Sequence, residues 1–244
     1  MNGLPPIRGA DGCPAGWLAV AMPPHRPDLA TAVLHPAASA LLPGARALAI
    51  DIPIGLMDTP EDGPRPADRA ARRYLRDRNT EGVRAPGARV FATPTRAHLD
   101  AFRQNRDYAA FRRAFPPPRS LSKQCWNICD KIAELDDLCR GEAHAPIWEA
   151  HPEVAFAFHA GRTLPPKKSP GGALARETLL NRLGFDLPAL AAALPPTGRG
   201  WVRDDLFDAC ILAVTADRIA ESNHAALPDA TGRDRFGLRR AIHY

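Results

Sequence analysis

The sequence predicts an α/β fold: a mixed five-stranded sheet, with three antiparallel strands followed by parallel ones, flanked by helices. Three observations predict it. The first fifty residues hold short apolar runs divided by turn-forming segments. A run from Ala45 to Ile50, apolar except for Arg46, reads as a strand buried on both faces, and Asp51 closes it. Beyond it lie long stretches whose apolar residues recur at helical spacing.

Ile7–Asp11 reads as the first strand, and Gly12-Cys13-Pro14-Ala15-Gly16 as a tight turn. Trp17–Met22 is the second strand and Leu29–Leu34 the third, across a turn at Pro23–Asp28. Links this short join antiparallel neighbours. A short helix near Ala37–Leu42 then implies a crossover, which sets the fourth strand, Ala45–Ile50, parallel to the first and beside it.

Residues 55–145 read as mostly helical: Pro66–Arg78, His98–Phe115 and Ser120–Arg140. The last carries Leu121, Cys125, Ile128, Ile132, Leu135 and Leu138 at helical spacing. Arg65, Arg69, Arg72, Arg73 and Arg76 around the first form either a solvated face or a track for a phosphate backbone. Ile147–Ala150 is the fifth strand, and Pro152 holds His151 extended, so a helix starts at or after Pro152. Residues 163–172 read as a mobile basic loop before a helix, Ala173–Leu183, stopped by Gly184. The last helix is expected from an Asp204 cap to about Ser222. The tail from Asn223 reads as loop, with Leu238–Tyr244 returning as a short edge strand.

With 244 residues, 45% of them hydrophobic, the chain can bury a full core. The expectation is one domain over residues 1–244 with a helical insertion over about 56–145. No apolar stretch suits a signal peptide or a membrane span, which points to a soluble cytoplasmic protein. Five cysteines without CxxC spacing argue against a disulfide framework, and Cys125 and Cys129 read as core residues. The net charge of +5 favours an acidic partner such as nucleic acid. Lysine stands only at 123, 131, 167 and 168, so the positive charge is nearly all arginine, as the coding bias of a GC-rich genome would also give.

Four acidic segments stand out, at Asp11, at Asp51, at Glu149 through Glu153, and at Asp204-Asp205 with Asp208. Ionised groups at the ends of buried strands are costly unless paired or bound to metal. Strands one and four side by side bring Asp11 and Asp51 together in a ribonuclease H-like layout. Asp205 and Asp208, three apart, share a helix face. Four converging carboxylates call for a cation, and Mg2+ or Mn2+ prefers such oxygen ligands. Two such ions can activate water and stabilise the leaving oxygen of a phosphodiester. Several of the acids also have a structural role open to them: Asp11 in a turn, Asp204 as a cap, Asp205 against the helix dipole, Glu153 in a first turn. Asp51 after a buried strand and Asp208 beside the apolar face have few. No GxSxG, Walker or HExxH motif is present.

These residues resemble domain-of-unknown-function family 429, whose members are described as predicted ribonuclease H-like nucleases. The likeness runs through Asp11-Gly12-Cys13-Pro14 with Gly16-Trp17, and through Ile50-Asp51-Ile52-Pro53-Ile54-Gly55-Leu56. Arg65, Asp68, Ala71 and Arg72 follow the R-x-x-D-x-x-A-R block, with Ala67 where a cysteine is common. Val90-Phe91, Pro94 and Arg96 follow, with Ala88 and Arg89 in place of the usual serines. Then come Gln124, Lys131-Ile132 and Glu134, Glu149 with His151-Pro152-Glu153, Lys167-Lys168, and Asp204-Asp205 with Asp208-Ala209. The resemblance implies Asp11, Asp51, Asp205 and Asp208 as metal and catalytic residues, with Glu149 as a fifth acid. It also implies Arg72, Arg96, Lys131 and Lys168 as phosphate contacts.

The leading expectation is therefore a nuclease needing Mg2+ or Mn2+ and acting on DNA or RNA. A nucleic-acid-binding protein that keeps the fold without catalysis is the first alternative. An actin- or sugar-kinase-like phosphotransferase is the second, although the chain is short for two ATP-closing halves and no second glycine-rich phosphate loop is evident.

Overall fold

The computed structural model describes residues 6–141 and 145–244. The start of the Met1–Ala10 segment and positions 142–144 of the expected 56–145 stretch lie outside the described residues. Strands β1 (Ile7–Cys13), β2 (Gly16–Met22) and β3 (Thr31–His35) form an antiparallel meander. β4 (Ala47–Ile50) runs parallel to β1, and β5 (Ile147–Glu149) parallel to β4. The sheet order is β3-β2-β1-β4-β5, a mixed α/β sheet as the sequence predicts.

Several boundaries differ from the sequence expectation for local reasons. β1 runs two residues past Asp11, because the hairpin closes at Cys13↔Gly16. Asp11 thus pairs with Leu18 on one side, while the parallel pairing with β4 stops at Ala10↔Ile50. β3 starts at Thr31, since Pro27 at a first helical position winds residues 27–29 into a 3-10 turn. The helix expected at Ala37–Leu42 is likewise a 3-10 turn, Ala38–Leu41.

Alternation along the strands buries both faces. Leu18, Val20 and Met22 of β2, with Ala47 and Ala49 of β4, point into one core. Trp17 and Ala19, with Leu48 and Ile50, point into the other. Each fully buried large side chain contributes about 1.5–3 kcal/mol, which fixes the register against slippage.

Between β4 and β5 lie α1 (Pro66–Asp77), α2 (Arg96–Gln104), α3 (Tyr108–Ala114), α4 (Lys123–Asn127) and α5 (Cys129–Gly141). The expected helix His98–Phe115 is two helices, because Asn105 and Asp107 bond the local backbone and Asp107 caps α3 at Ala109 N, 2.8 Å away. The expected helix Ser120–Arg140 is also two, with Ser122 capping α4 and a break at Ile128. Phe102, Phe111 and Trp126 pack edge-on or tilted beneath the sheet, with centroids 4.7–4.8 Å apart in the Phe102–Trp126 and Phe111–Trp126 pairs.

After β5 come α6 (Pro152–Ala160), α7 (Pro170–Arg182), α8 (Leu187–Ala192) and α9 (Arg203–Ala220). α9 is buried nearly all round and lies against β1. Gly9 permits this approach: a Cβ there would stand 2.1 Å from Ala213 N and 2.2 Å from Ala209 O. The tail is not loop from Asn223. β6 (Ala226–Arg233) and β7 (Arg239–His243) form a separate antiparallel ribbon, which meets the main sheet through an Ala150–His243 bridge. Pro228, Asp229 and Gly232 hide β6 from a propensity reading. Among the described residues, no helix is long and apolar enough to cross a membrane.

Candidate active site

The parallel strands set the first two acids side by side. Asp51 N donates to Ala10 O at 3.2 Å, the last bond of the β1–β4 ladder, so Asp11 and Asp51 each follow directly on it. Asp11 also accepts from Gly12 N at 2.7 Å. α9, seated on Gly9, supplies Asp208 one residue before the closely packed Ala209. Asp208 is buried, and its Oδ1 has no hydrogen-bond partner among the described residues. Its Oδ2 accepts from Lys167 Nζ at 2.8 Å.

The charges show that these groups act on one another. Burial pushes the Asp11 carboxyl well above the usual range, and Asp208, Asp51 and Asp205 add to the push, against Lys167. Burial also raises Asp51, opposed by His151 and Lys167. Asp208 is pushed up to about 7, by burial first, with Lys167 opposing and Asp51 and Glu153 adding. Lys167 is held firmly protonated: burial works against its charge, but Asp208, Asp11 and Asp51 outweigh it.

Asp205 is raised by burial, and its Oδ2 accepts from Val202 N at 2.8 Å. It therefore secures the helix start, and Val202, not Asp204, is the capping residue. Among the described residues, no three His, Cys, Asp or Glu side chains stand ready in ligating geometry. The donor chemistry nonetheless suits a hard cation: Asp11, Asp51 and Asp208 offer oxygens only, and Asp208 Oδ1 is buried without a partner.

A cleft of about 330 Å³ opens over this group, walled by Asp51, Asp208, His151, Arg89, Lys167 and Lys168. Lys168 is exposed at its edge and makes no ion pair among the described residues. His151 caps α6, its Nδ1 accepting from Glu153 N at 3.2 Å, so the neutral ring carries its proton on Nε2. The segment 163–172 is not free: Thr163 Oγ1 donates to Leu75 O at 2.6 Å, and Arg176 donates to Pro165 O at 2.9 Å. Its last three residues already belong to α7, which Ser169 caps. This anchoring is what presents Lys167 to Asp208.

Other expected residues stand elsewhere. Glu149 is buried under Arg65, accepting from Arg65 Nη1 at 2.7 Å and from Ile54 N at 2.6 Å. Arg65 turns its other edge to Asp68, and the two acids hold it protonated against its burial. Glu149 therefore braces the chain just after Asp51, and its oxygens are committed. Arg96 is buried away from the cleft, paired with Asp136 at 3.0 Å and with Asp234, so it offers nothing to a phosphate. Lys131 donates to Gly16 O, lies 4.7 Å over the Trp17 ring and packs its stem on Gly12, bracing the hairpin behind Asp11. Arg72 donates from Nε to Val90 O at 2.9 Å and lines a neighbouring depression.

Glu153, peripheral by sequence pattern, is buried between Arg89 and Arg176, which hold its carboxyl below the usual range despite burial. Lys167, His151 and Arg89 join the cleft without a sequence pattern that assigns them to it. The Lys-Lys pair and the His-Pro-Glu run mark the places, but only the fold distinguishes the inward lysine from the outward one.

Fold and cleft together define an α/β protein whose carboxylates gather where parallel strands end. The chain belongs to the family described as "Protein of unknown function (DUF429)", whose model matches residues 9–233. No curated protein and no solved structure matches it.

Proposed function

We propose that the protein is a metal-dependent nuclease, hydrolysing phosphodiester bonds of DNA or RNA on a ribonuclease H-like frame. The strand order β3-β2-β1-β4-β5, with the first three antiparallel and a long helix against β1, supports the frame. The helices between β4 and β5 are then its insertion. The observation that carries the chemistry is Asp208: a buried carboxylate with one oxygen unpartnered, whose charge acts on Asp11 and is acted on by Asp51. Asp11, Asp51 and Asp208 would hold Mg2+ or Mn2+, with Asp205 adding charge from the helix start.

A bound pair of such ions supplies an activated water and stabilises the leaving oxygen. The chain's own residues do the rest. Lys167 neutralises part of the acid charge and Lys168 stands at the rim to meet an approaching phosphate. His151 on the cleft wall presents its Nε2–H as a hydrogen-bond donor to the leaving oxygen.

The test is cleavage of labelled single- and double-stranded DNA and RNA with Mg2+, Mn2+ or EDTA. Metal-dependent cleavage that disappears in Asp51→Asn and Asp208→Asn, both still folded, is expected. Equal cleavage by the variants overturns the assignment. A binding protein without turnover is the second reading, favoured by the Lys167 ammonium seated on Asp208 and by the lack of a ready ligating trio among the described residues. Salt-sensitive binding with no metal-dependent product would establish it.

A further inference from the structure

A second depression, about 580 Å³, adjoins the acid cleft and shares Phe91 and Gln124 with it. Arg72 and Arg76, one helical turn apart on α1, form one wall. Residues 85–88, Ser122 and Gln124 also line it. Among the described residues, no carboxylate lines it and neither arginine has an ion-pair partner. The Arg76 guanidinium lies over Gly87, where an added Cβ would be 3.3 Å from Nη1. Ala85, at the edge, has φ +46°, a left-handed conformation that costs a non-glycine residue energy and is doubly unfavourable before Pro86.

The two depressions form a path that runs from the Arg72–Arg76 wall across Phe91 to Lys167 and Lys168. Cations along a groove suit a phosphate backbone, and a half-buried aromatic ring at the seam suits a base. Stacking on a side chain is open only to an unpaired base, because duplex bases are already stacked on each other.

We propose that this trough is the binding track for single-stranded nucleic acid, with Arg72 and Arg76 on successive phosphates and Phe91 under the base next to the acids. The proposal rests on the nuclease reading for the role of the acid cleft, but the track itself binds without metal. It extends the expected role of Arg72 at a phosphate to a defined path and selects the substrate class.

The test is fluorescence anisotropy with labelled oligodeoxynucleotides, single-stranded and duplex, in EDTA over a range of salt concentrations. Wild type should bind the single strand more tightly. Arg72→Ala/Arg76→Ala should flatten the slope of log K against log salt by about 1.4, at roughly 0.7 for each phosphate no longer neutralised. Arg72 also holds Val90 O, so Arg76→Ala, whose side chain makes no hydrogen bond among the described residues, serves as the second variant, with a change of about 0.7. Phe91→Leu should weaken binding roughly 5- to 100-fold with the slope unchanged. Equal affinity for duplex, or an unchanged slope in a folded Arg76→Ala variant, overturns the track. Single-strand binding in EDTA with no cleavage in Mn2+ upholds the track and removes the nuclease reading.

Discussion

Lys167 Nζ stands 2.8 Å from Asp208 Oδ2, and that ammonium also offsets the charge of Asp11 and Asp51. One ion-paired ammonium is thus set against Asp11, Asp51 and Asp208. The surplus negative charge is the property a divalent ion would exploit, and it also burdens the metal-free protein.

The burden has a sign that can be measured. The Asp11, Asp51 and Asp208 carboxyls titrate higher in the folded chain than in the unfolded one. Below their unfolded values they contribute nothing. As pH rises past those unfolded values, the unfolded chain ionises first and stability falls, for Asp208 until about 7. Asp51→Asn is expected to raise Tm at pH 7 in EDTA by about 2–4 °C, the equivalent of about 1 kcal/mol, and to leave it unchanged at pH 4. Thermal melts of variant and wild type decide this, and a lower Tm at pH 7 defeats it.

Gly9→Ala should disrupt the frame rather than the chemistry. Its Cβ would meet the backbone of α9, which cannot swing aside as a side chain can. A loss of about 3 kcal/mol or more is expected, seen as a shifted denaturation midpoint. A midpoint equal to that of wild type would show that α9 does not rest on β1.

Glu149→Gln separates a brace from a ligand. It leaves Arg65 buried with Asp68 as its remaining acid partner, so stability should fall by about 3 kcal/mol. The rise in Tm on adding Mn2+ should match that of wild type. Loss of that rise in the folded variant would return Glu149 to the metal site.

His243 gives the acid side of the stability profile. Burial first, then His224 and Arg239, push its imidazole down to about 4. Above pH 6.5 both states are neutral there. As pH falls toward 4 the unfolded chain takes the proton first, and up to about 3 kcal/mol is lost. His243→Gln should flatten the decline of Tm between pH 6.5 and 4; an unchanged slope would place the loss elsewhere.

Much of the frame is legible in the sequence. The apolar run ending at Asp51 and the short turns before it imply the parallel and antiparallel pairings. Asp11 and Asp51 are legible as candidates because ionised groups at the ends of buried strands are costly unless paired or metal-bound. What the chain does not spell out is each partner's direction. Arg96 and Arg72 look alike in the sequence, yet one is spent on Asp136 and Asp234 while the other borders an open trough. Glu149 and Asp51 look alike too, and only the arrival of Arg65 from the start of α1 distinguishes them. Such pairings join residues tens of positions apart, and no local pattern encodes them.

The ladder bond from Asp51 N to Ala10 O has a consequence for how this chemistry could change over generations. Positions 11 and 51 are held apart by strand spacing, and position 208 by a helix resting on Gly9. Backbone sets their places, so the frame keeps its shape whichever small polar side chain each one carries. On the nuclease reading, a single exchange of acid for amide would silence the centre and leave the fold in place. Active and inert descendants of such a chain would differ by one letter and share one shape.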